Sequence, residues 1–202
     1  MASLRPAAPP IHCARMPNDA RRAGGDGASD VASRLAALIR TVPDFPRPGI
    51  AFRDITTLLA NAGAFRDAVE ALAAPFADAG IDAVAGIESR GFALGAPVAY
   101  RLGTAFVPIR KQGRLPAATI SAAYALEYGE AVLELHSDAL SSGQRVLIVD
   151  DLLATGGTAL AAARLVEQLG AEVCGIAFLI ELAELGGAAR LEGRRHTSLI
   201  TL

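Results

Sequence analysis

Hydrophobic and polar residues follow two different periods along this chain from residue 30 onwards. Short runs of β-branched and aliphatic residues are typical of buried strands, and apolar residues that recur every three or four positions are typical of one helix face. The pattern predicts helices at 30–42, 61–79, 92–102, 159–169 and, in short form, 182–191. It predicts strands at 50–55, 83–87, 104–109, 125–126, 131–135, 146–149, 173–180 and 197–202, and a patternless polar loop at 111–123.

Strands and helices alternate between residues 61 and 181. This alternation favours an α/β fold with a mainly parallel sheet flanked by helices on both faces. In such sheets, ligands bind outside the carboxyl ends of the strands. Three polar segments follow predicted strands, so we expect them to meet at one edge of the sheet: 88–91, 110–111 and 150–158.

The segment after the 146–149 strand combines two kinds of binding group. Asp150 and Asp151 only accept hydrogen bonds when ionised, so they suit vicinal sugar hydroxyls or a hydrated divalent cation. A helix N-terminus attracts phosphate, and glycines let backbone amides approach it closely. Thr158 can also cap the helix. An ordinary β–α turn that binds no ligand has the same spacing, so the spacing alone leaves that interpretation open. The candidate phosphate loop consists of Ala154, Thr155, Gly156, Gly157 and Thr158.

Positively charged side chains follow the two preceding predicted strands. Arg90 carries a planar fork of donors that suits phosphate oxygens. Arg110 and Lys111 follow the 104–109 strand and could balance a pyrophosphate group. Because solvated charges in ordinary turns give the same pattern, the spacing alone leaves both interpretations open. The chain has no G-x-x-x-x-G-K-[ST] sequence and no G-x-G-x-x-G after a strand, which argues against the two best-known nucleotide loops.

Composition narrows the class of protein. The chain has 202 residues, is 52% hydrophobic and carries a formal charge of −2, which predicts a globular domain and argues against non-specific nucleic-acid binding. No apolar stretch is long enough to cross a membrane. Cys13 and Cys174 lie far apart, which favours a reducing cytoplasm over a disulfide framework. We expect residues 1–29 to be a disordered extension and residues 30–202 a single domain.

The sequence from Val149 to Thr158 resembles the phosphoribosyl-pyrophosphate (PRPP) motif of type I phosphoribosyltransferases. The resemblance implies that the phosphate loop holds the 5′-phosphate and that Asp150 and Asp151 hold the ribose hydroxyls. It implies a small N-terminal hood over the base. It also implies Mg²⁺ carried mainly by PRPP near the two aspartates, without direct protein ligands. It also implies a pyrophosphate site formed by Ser89, Arg90, Arg110 and Lys111. In the family, the turn that contains Ser89 and Arg90 often has a non-proline cis peptide.

Two further stretches, Phe45–Thr56 and Tyr124–Gly129, resemble adenine phosphoribosyltransferases, and the match extends from residue 33 to about 185. The resemblance implies a hood at roughly 43–57 and a lid at roughly 111–126. It assigns roles at the base to four residues. The backbone of Ala51 meets the adenine edge, Arg53 packs beside the ring, Leu182 closes the opposite face, and Glu127 helps adenine lose its N9 proton.

The implied activity is that of a pentosyltransferase, which converts adenine and PRPP to AMP and pyrophosphate in purine salvage, as a cytoplasmic homodimer. Adenine needs an acceptor for its 6-amino group and a donor for N1, and a strand peptide offers both. Two alternatives stay open. The base could differ, since base preference lies in the hood and the lid, or the fold could serve as a PRPP sensor in a transcriptional regulator.

Overall fold

The computed structural model describes residues 26–125 and 130–202, and a seven-stranded sheet forms its centre. A separate two-stranded hairpin precedes the sheet in the chain. Two 3₁₀ turns lie at Ala74–Phe76 and Ala183–Leu185. The elements are α1 (Asp26–Ala36), β1 (Arg40–Val42), β2 (Phe52–Asp54), α2 (Thr56–Leu59), α3 (Ala62–Ala73), β3 (Ala83–Ile87), α4 (Arg90–Leu102), β4 (Ala105–Lys111), β5 (Thr119–Ala125), β6 (Glu130–His136), β7 (Arg145–Leu153), α5 (Gly157–Gln168), β8 (Glu172–Glu181), α6 (Gly187–Arg190) and β9 (His196–Thr201).

The sheet has the strand order β5-β6-β4-β3-β7-β8-β9. Strands β4, β3, β7, β8 and β9 run parallel, whereas β6 and β5 are antiparallel additions at one edge. Every residue of β3 is buried, and successive side chains enter the two cores on opposite faces, as Val84 and Ala85 do. The cores contain residues of α3 and α4 on one side and of α5 on the other. The prediction of a mainly parallel sheet flanked by helices is confirmed.

Local chemistry explains where α3 begins and ends. The Asn61 side chain accepts hydrogen bonds from the amides of Gly63 and Ala64, both at 3.1 Å, which confirms it as the cap of α3. The predicted end near residue 79 is wrong, because Pro75 has no N–H and the chain continues as a 3₁₀ turn.

The prediction of a helix at 30–42 with Asp30 as its cap is also wrong in its bounds. Helix α1 begins at Asp26, so Asp30 lies inside it, and Val42 lies in β1 rather than on a helix face.

Three other expectations are wrong, two of them because of pairing between strands. The predicted loop at 111–123 contains most of β5, which pairs along its full length with β6. Its small residues conceal the alternation, although Ala122 is buried and Ile120 packs on the core. Strand β7 continues through the two aspartates to Leu153 because it remains paired with β8. Thr158 does not cap α5, since Gly156 occupies the cap position with no side-chain bond.

The hairpin of β1 and β2 overlaps most of the segment expected to form the hood, roughly 43–57, and is called the hood from here on. Arg40 pairs with Asp54 across the hairpin, and its Nε donates to Asp54 Oδ2 at 3.0 Å. Hydrogen bonds from Arg40 and Thr56 lower the pKa of Asp54 to about 2. The turn holds a cis Phe45–Pro46 bond, and Phe45 meets Phe52 edge to face at 5.1 Å between ring centroids.

The predicted N-terminal extension falls almost wholly outside the described residues. Residues 1–25 are not described, so their disorder stays a prediction, whereas residues 26–29 belong to α1. Within residues 26–125 and 130–202, no helix is long and apolar enough to cross a membrane.

Candidate active site

The carboxyl ends of β3, β4 and β7 lie side by side at one edge of the sheet. Residue Ile87 of β3 pairs with Ile109 of β4, and Gly86 pairs with Val149 of β7. The polar segments expected to bind ligand complete or follow these strands at that edge. The prediction that the three segments meet there is confirmed.

The candidate phosphate loop turns from β7 into α5. Gly156 adopts φ 79°, a left-handed conformation that glycine accepts without a Cβ clash. The first bond inside the helix runs from the Leu160 amide to the Gly156 carbonyl at 3.0 Å, so the amides of residues 157–159 precede the helical ladder and can donate to a ligand. Together with the helix dipole, these amides make the start of α5 suited to an anion.

A glycine-rich turn supports this loop from behind. A Cβ on Gly156 would lie 2.7 Å from the carbonyl oxygen of Gly187, and a Cβ on Gly187 would lie 2.2 Å from that of Ala154. The two backbones therefore touch with no room for a side chain. This close approach fixes the position of the loop.

The two aspartates are buried at the end of β7, with exposed fractions of 9% for Asp150 and 5% for Asp151. Asp150 Oδ1 accepts the Asp151 amide at 2.9 Å. Asp151 Oδ2 forms an ion pair with Arg90 Nη2 at 3.0 Å. The geometry of this pair is not that of a hydrogen bond, so Asp151 Oδ2 is buried without a hydrogen-bond partner. Burial raises the pKa of both carboxyls, and the neighbouring Asp151 charge raises that of Asp150 further. The pair is therefore costly to ionise without a ligand that donates hydrogen bonds.

Arg90 connects the acid pair to the hood. Its Nη1 donates to the Arg53 carbonyl at 3.3 Å, and its guanidinium carbon lies 4.9 Å from the centroid of the Phe52 ring. Ser89 precedes it at the cap position of α4, exposed and without a side-chain capping bond. The Glu88–Ser89 peptide is cis, as the resemblance implies.

Arg110 and Lys111 end β4 beside the carboxylate of Glu88. Both oxygens of Glu88 accept from the Arg110 guanidinium, at 3.2 and 3.3 Å. The remaining Nη1 of Arg110 donates to the Arg114 carbonyl at 2.8 Å. Within the described residues, no hydrogen bond or ion pair joins Arg110 or Lys111 to the two aspartates. The cationic strand end and the acid pair are thus held separately.

The residues expected around the base occupy two sides of this edge. Ala51 is exposed just before β2, and Arg53 is half-buried within it. Arg53 Nη1 donates to Thr41 Oγ1 at 2.5 Å, while its Nε is buried without a hydrogen-bond partner. Leu182 follows β8, where its amide donates to the Leu153 carbonyl at 2.9 Å. Glu127 lies outside the described residues.

Sequence reasoning missed three residues of this site: Glu88, Phe52 and Gly187. An acidic residue beside the cationic turn was a usable signal for Glu88, because Arg110 follows the next strand. Nothing local distinguishes Phe52 or Gly187, since their roles depend on contacts with Arg90 and Ala154.

Comparison with known proteins agrees with this geometry. The family model described as Phosphoribosyl transferase domain matches residues 55–196. An adenine phosphoribosyltransferase of Methylobacterium nodulans is 62% identical over 159 residues, which are 79% of this chain and 88% of that protein. One from Paracoccus denitrificans is 63% identical over 158 residues, 78% of this chain and 84% of that protein.

Solved structures give the same result. The crystal structure of an adenine phosphoribosyltransferase from Thermoanaerobacter pseudethanolicus has a TM-score of 0.82 and 52% identity, and covers 85% of this chain and 99% of its own. That from Saccharomyces cerevisiae, complexed with an imino-altritol bisphosphate and adenine, has a TM-score of 0.80 and 38% identity, and covers 85% and 99%. The chain belongs to the adenine phosphoribosyltransferases, within the phosphoribosyltransferase family.

Proposed function

We propose that the protein transfers the phosphoribosyl group of PRPP to adenine, forming AMP and releasing pyrophosphate in purine salvage. The observation that carries the proposal is the Asp151 carboxylate, buried and short of a hydrogen bond between the phosphate loop and Arg90. A ligand with a phosphate at one end and vicinal hydroxyls beside it satisfies both features. The names of the relatives support adenine as the base.

The phosphate and the ribose are bound by different groups. The amides that open α5 and the hydroxyls of Thr155 and Thr158 bind the 5′-phosphate, supported by Ala154, Gly156 and Gly157. Asp150 and Asp151 accept hydrogen bonds from the 2′- and 3′-hydroxyls. These hydroxyls take the place of the water molecules that would donate to the carboxylates if they were exposed. Substrate binding therefore stabilises the ionised aspartates.

The pyrophosphate is bound at the ends of β3 and β4 by Ser89, Arg90, Arg110 and Lys111. Cations placed where negative charge develops stabilise the departing group. Within the described residues, no three His, Cys, Asp or Glu side chains form a metal cluster. Asp150 and Asp151 offer oxygen atoms of the kind Mg²⁺ prefers, so they fit an ion bound mainly by PRPP. When bound, Mg²⁺ neutralises charge on the pyrophosphate oxygens.

The base lies between the hood and the residue after β8. The Ala51 backbone meets the adenine edge, Arg53 and Leu182 enclose the ring, and Glu127 accepts the N9 proton. As pyrophosphate leaves, the C1′ carbon becomes cationic, and nearby carboxylates favour that charge. Catalysis is then mostly positioning and electrostatic stabilisation.

A base panel tests this assignment. Purified protein is incubated with PRPP and Mg²⁺ and with adenine, hypoxanthine, xanthine or orotate in turn, and nucleotide formation is followed by liquid chromatography. We expect AMP from adenine and little product from the others. Hypoxanthine and xanthine are 6-oxopurines and present the opposite hydrogen-bond polarity, and orotate is not a purine. Activity with another base and none with adenine would overturn the assignment.

We also propose a cytoplasmic homodimer. Tyr100 is 88% exposed on α4, and the exposed Ala96 lies one turn before it, so a second copy could pack against the Tyr100 ring. Among the described residues, Cys174 forms no disulfide, which fits a reducing compartment. Light scattering should give twice the chain mass of 20.8 kDa.

A further inference from the structure

Glu88 follows β3 and forms hydrogen bonds to the end of the neighbouring strand, β4. Its carboxylate accepts two bonds from the Arg110 guanidinium, and its Oε2 also accepts the Lys111 main-chain amide at 3.1 Å. Its own amide donates to the Ile109 carbonyl at 2.9 Å. One side chain therefore joins the end of β3 to the last two residues of β4.

These contacts keep Glu88 ionised. Partial burial alone would raise the pKa of this carboxyl, but the bonds from Arg110 and the Lys111 amide outweigh it and hold the pKa below its ordinary value. The fork between a guanidinium and a carboxylate fixes direction as well as distance. Arg110 is thus restrained on both sides, by Glu88 and by the Arg114 carbonyl.

A second carboxylate, which is buried, restrains the same segment. Glu134 lies opposite Arg110 in the pairing of β4 with β6, and its Oε2 accepts the Gly113 amide at 2.9 Å. The chain from Arg110 to Gly113 is therefore anchored at its start and at its end. Among the described residues, the Lys111 ammonium makes no ion pair, so its charge is available to a ligand.

We propose that Glu88 is a positioning residue for the pyrophosphate half of PRPP, which it serves by fixing Arg110 and the Lys111 backbone at the end of β4. The inference rests on the proposed function, because it assumes that these two cations meet pyrophosphate. Glu88 itself does not bind the substrate. It acts on one half of the site only, since its contacts do not reach the phosphate loop or the acid pair.

Direct binding separates this role from a general structural one. Titration calorimetry measures the Kd of Mg²⁺–pyrophosphate and of ribose 5-phosphate, which lacks the pyrophosphate group, for wild type and Glu88→Gln. The substitution keeps the shape and removes the charge that supports the fork. We expect pyrophosphate binding to weaken about tenfold, as for the loss of a charge-assisted hydrogen bond. Ribose 5-phosphate binding should not change.

Two further variants complete the design. Glu88→Asp retains the charge on a shorter side chain, so its pyrophosphate Kd should lie between those of wild type and Glu88→Gln. Glu172→Gln removes another ion pair, which Glu172 forms with Arg145 at 3.0 Å. Both residues are the first of their strands, β8 and β7, and lie at the ends away from the site, so both Kd values should stay unchanged. Unchanged pyrophosphate binding in Glu88→Gln, or an equal loss for both ligands, would overturn the inference.

The experiment distinguishes this inference from the proposed function. Neither ligand contains a base, so a protein that binds both but makes no AMP refutes adenine transfer and leaves the role of Glu88 intact. A wild-type protein that binds neither ligand refutes both.

Discussion

Replacing Gly187 by alanine tests whether the turn behind the phosphate loop sets the position of that loop. The added Cβ would lie 2.2 Å from the Ala154 carbonyl oxygen and 2.9 Å from Leu153 Cδ1. Ordinary contact needs more than about 3 Å, so the loop or the turn must shift by about 1 Å. A misplacement of about 1 Å in a positioning element can lower the rate about 100-fold. Overpacking also costs about 1–3 kcal/mol of folding stability.

The assay combines steady-state kinetics with binding. We expect Gly187→Ala to lower kcat/KM for PRPP about 100-fold and to weaken ribose 5-phosphate binding, because the amides no longer meet the 5′-phosphate. Pyrophosphate binding should not change, which is the opposite of the pattern expected for Glu88→Gln. Gly193→Ala is a matched control: Gly193 has φ 80° and a Cβ added to it would meet nothing within 4 Å, so alanine strains the backbone without pushing the loop.

The reasoning fails if Gly187→Ala melts at a lower temperature but binds ribose 5-phosphate as wild type does. It also fails if Gly193→Ala shows the same loss of affinity. Either result would mean that the contact with Ala154 supports stability alone.

Three other substitutions test the rest of the site. Because burial raises the pKa of Asp150, folding becomes less favourable as the pH rises above the unfolded-state pKa of about 3.9. Asp150→Asn should therefore raise the melting temperature at pH 7 and abolish ribose 5-phosphate binding, and the gain in stability should vanish below that unfolded-state pKa. A lower melting temperature at pH 7 would contradict this. Arg90→Lys keeps the charge but loses the fork that spans Asp151 and the Arg53 carbonyl. The kcat/KM should therefore fall about 10- to 100-fold with little change in melting temperature. Full activity would show that catalysis does not need Arg90 to connect the acid pair to the hood. Arg53→Ala should raise the KM for adenine much more than the KM for PRPP, and equal effects on both would remove Arg53 from the base site.

Much of the fold follows from local patterns. The buried run from Ala83 to Ile87 was predicted with the bounds that β3 has, and Asn61 caps α3 through a side chain that is chemically suited to it. The three binding segments could be placed at one edge because parallel strands share a direction. Residue chemistry and strand direction therefore sufficed to place Asp150, Asp151 and residues 154–158 at that edge.

What the sequence did not predict depends on contacts between distant segments. Strand β5 is built from small residues, and its pairing with β6 decides its conformation. Strand β7 extends past the aspartates only because β8 continues beside it. The fork from Glu88 joins residues 22 positions apart, and the contact of Gly187 with Ala154 joins two turns. No local periodicity encodes such pairs.

The most direct test of the central claim is the stoichiometry of products from adenine and PRPP. Wild-type protein with Mg²⁺ should form AMP and pyrophosphate in equal amounts, followed together by liquid chromatography and a pyrophosphate assay. Release of pyrophosphate without AMP, or no reaction with adenine, would contradict transfer of the phosphoribosyl group to adenine at this site.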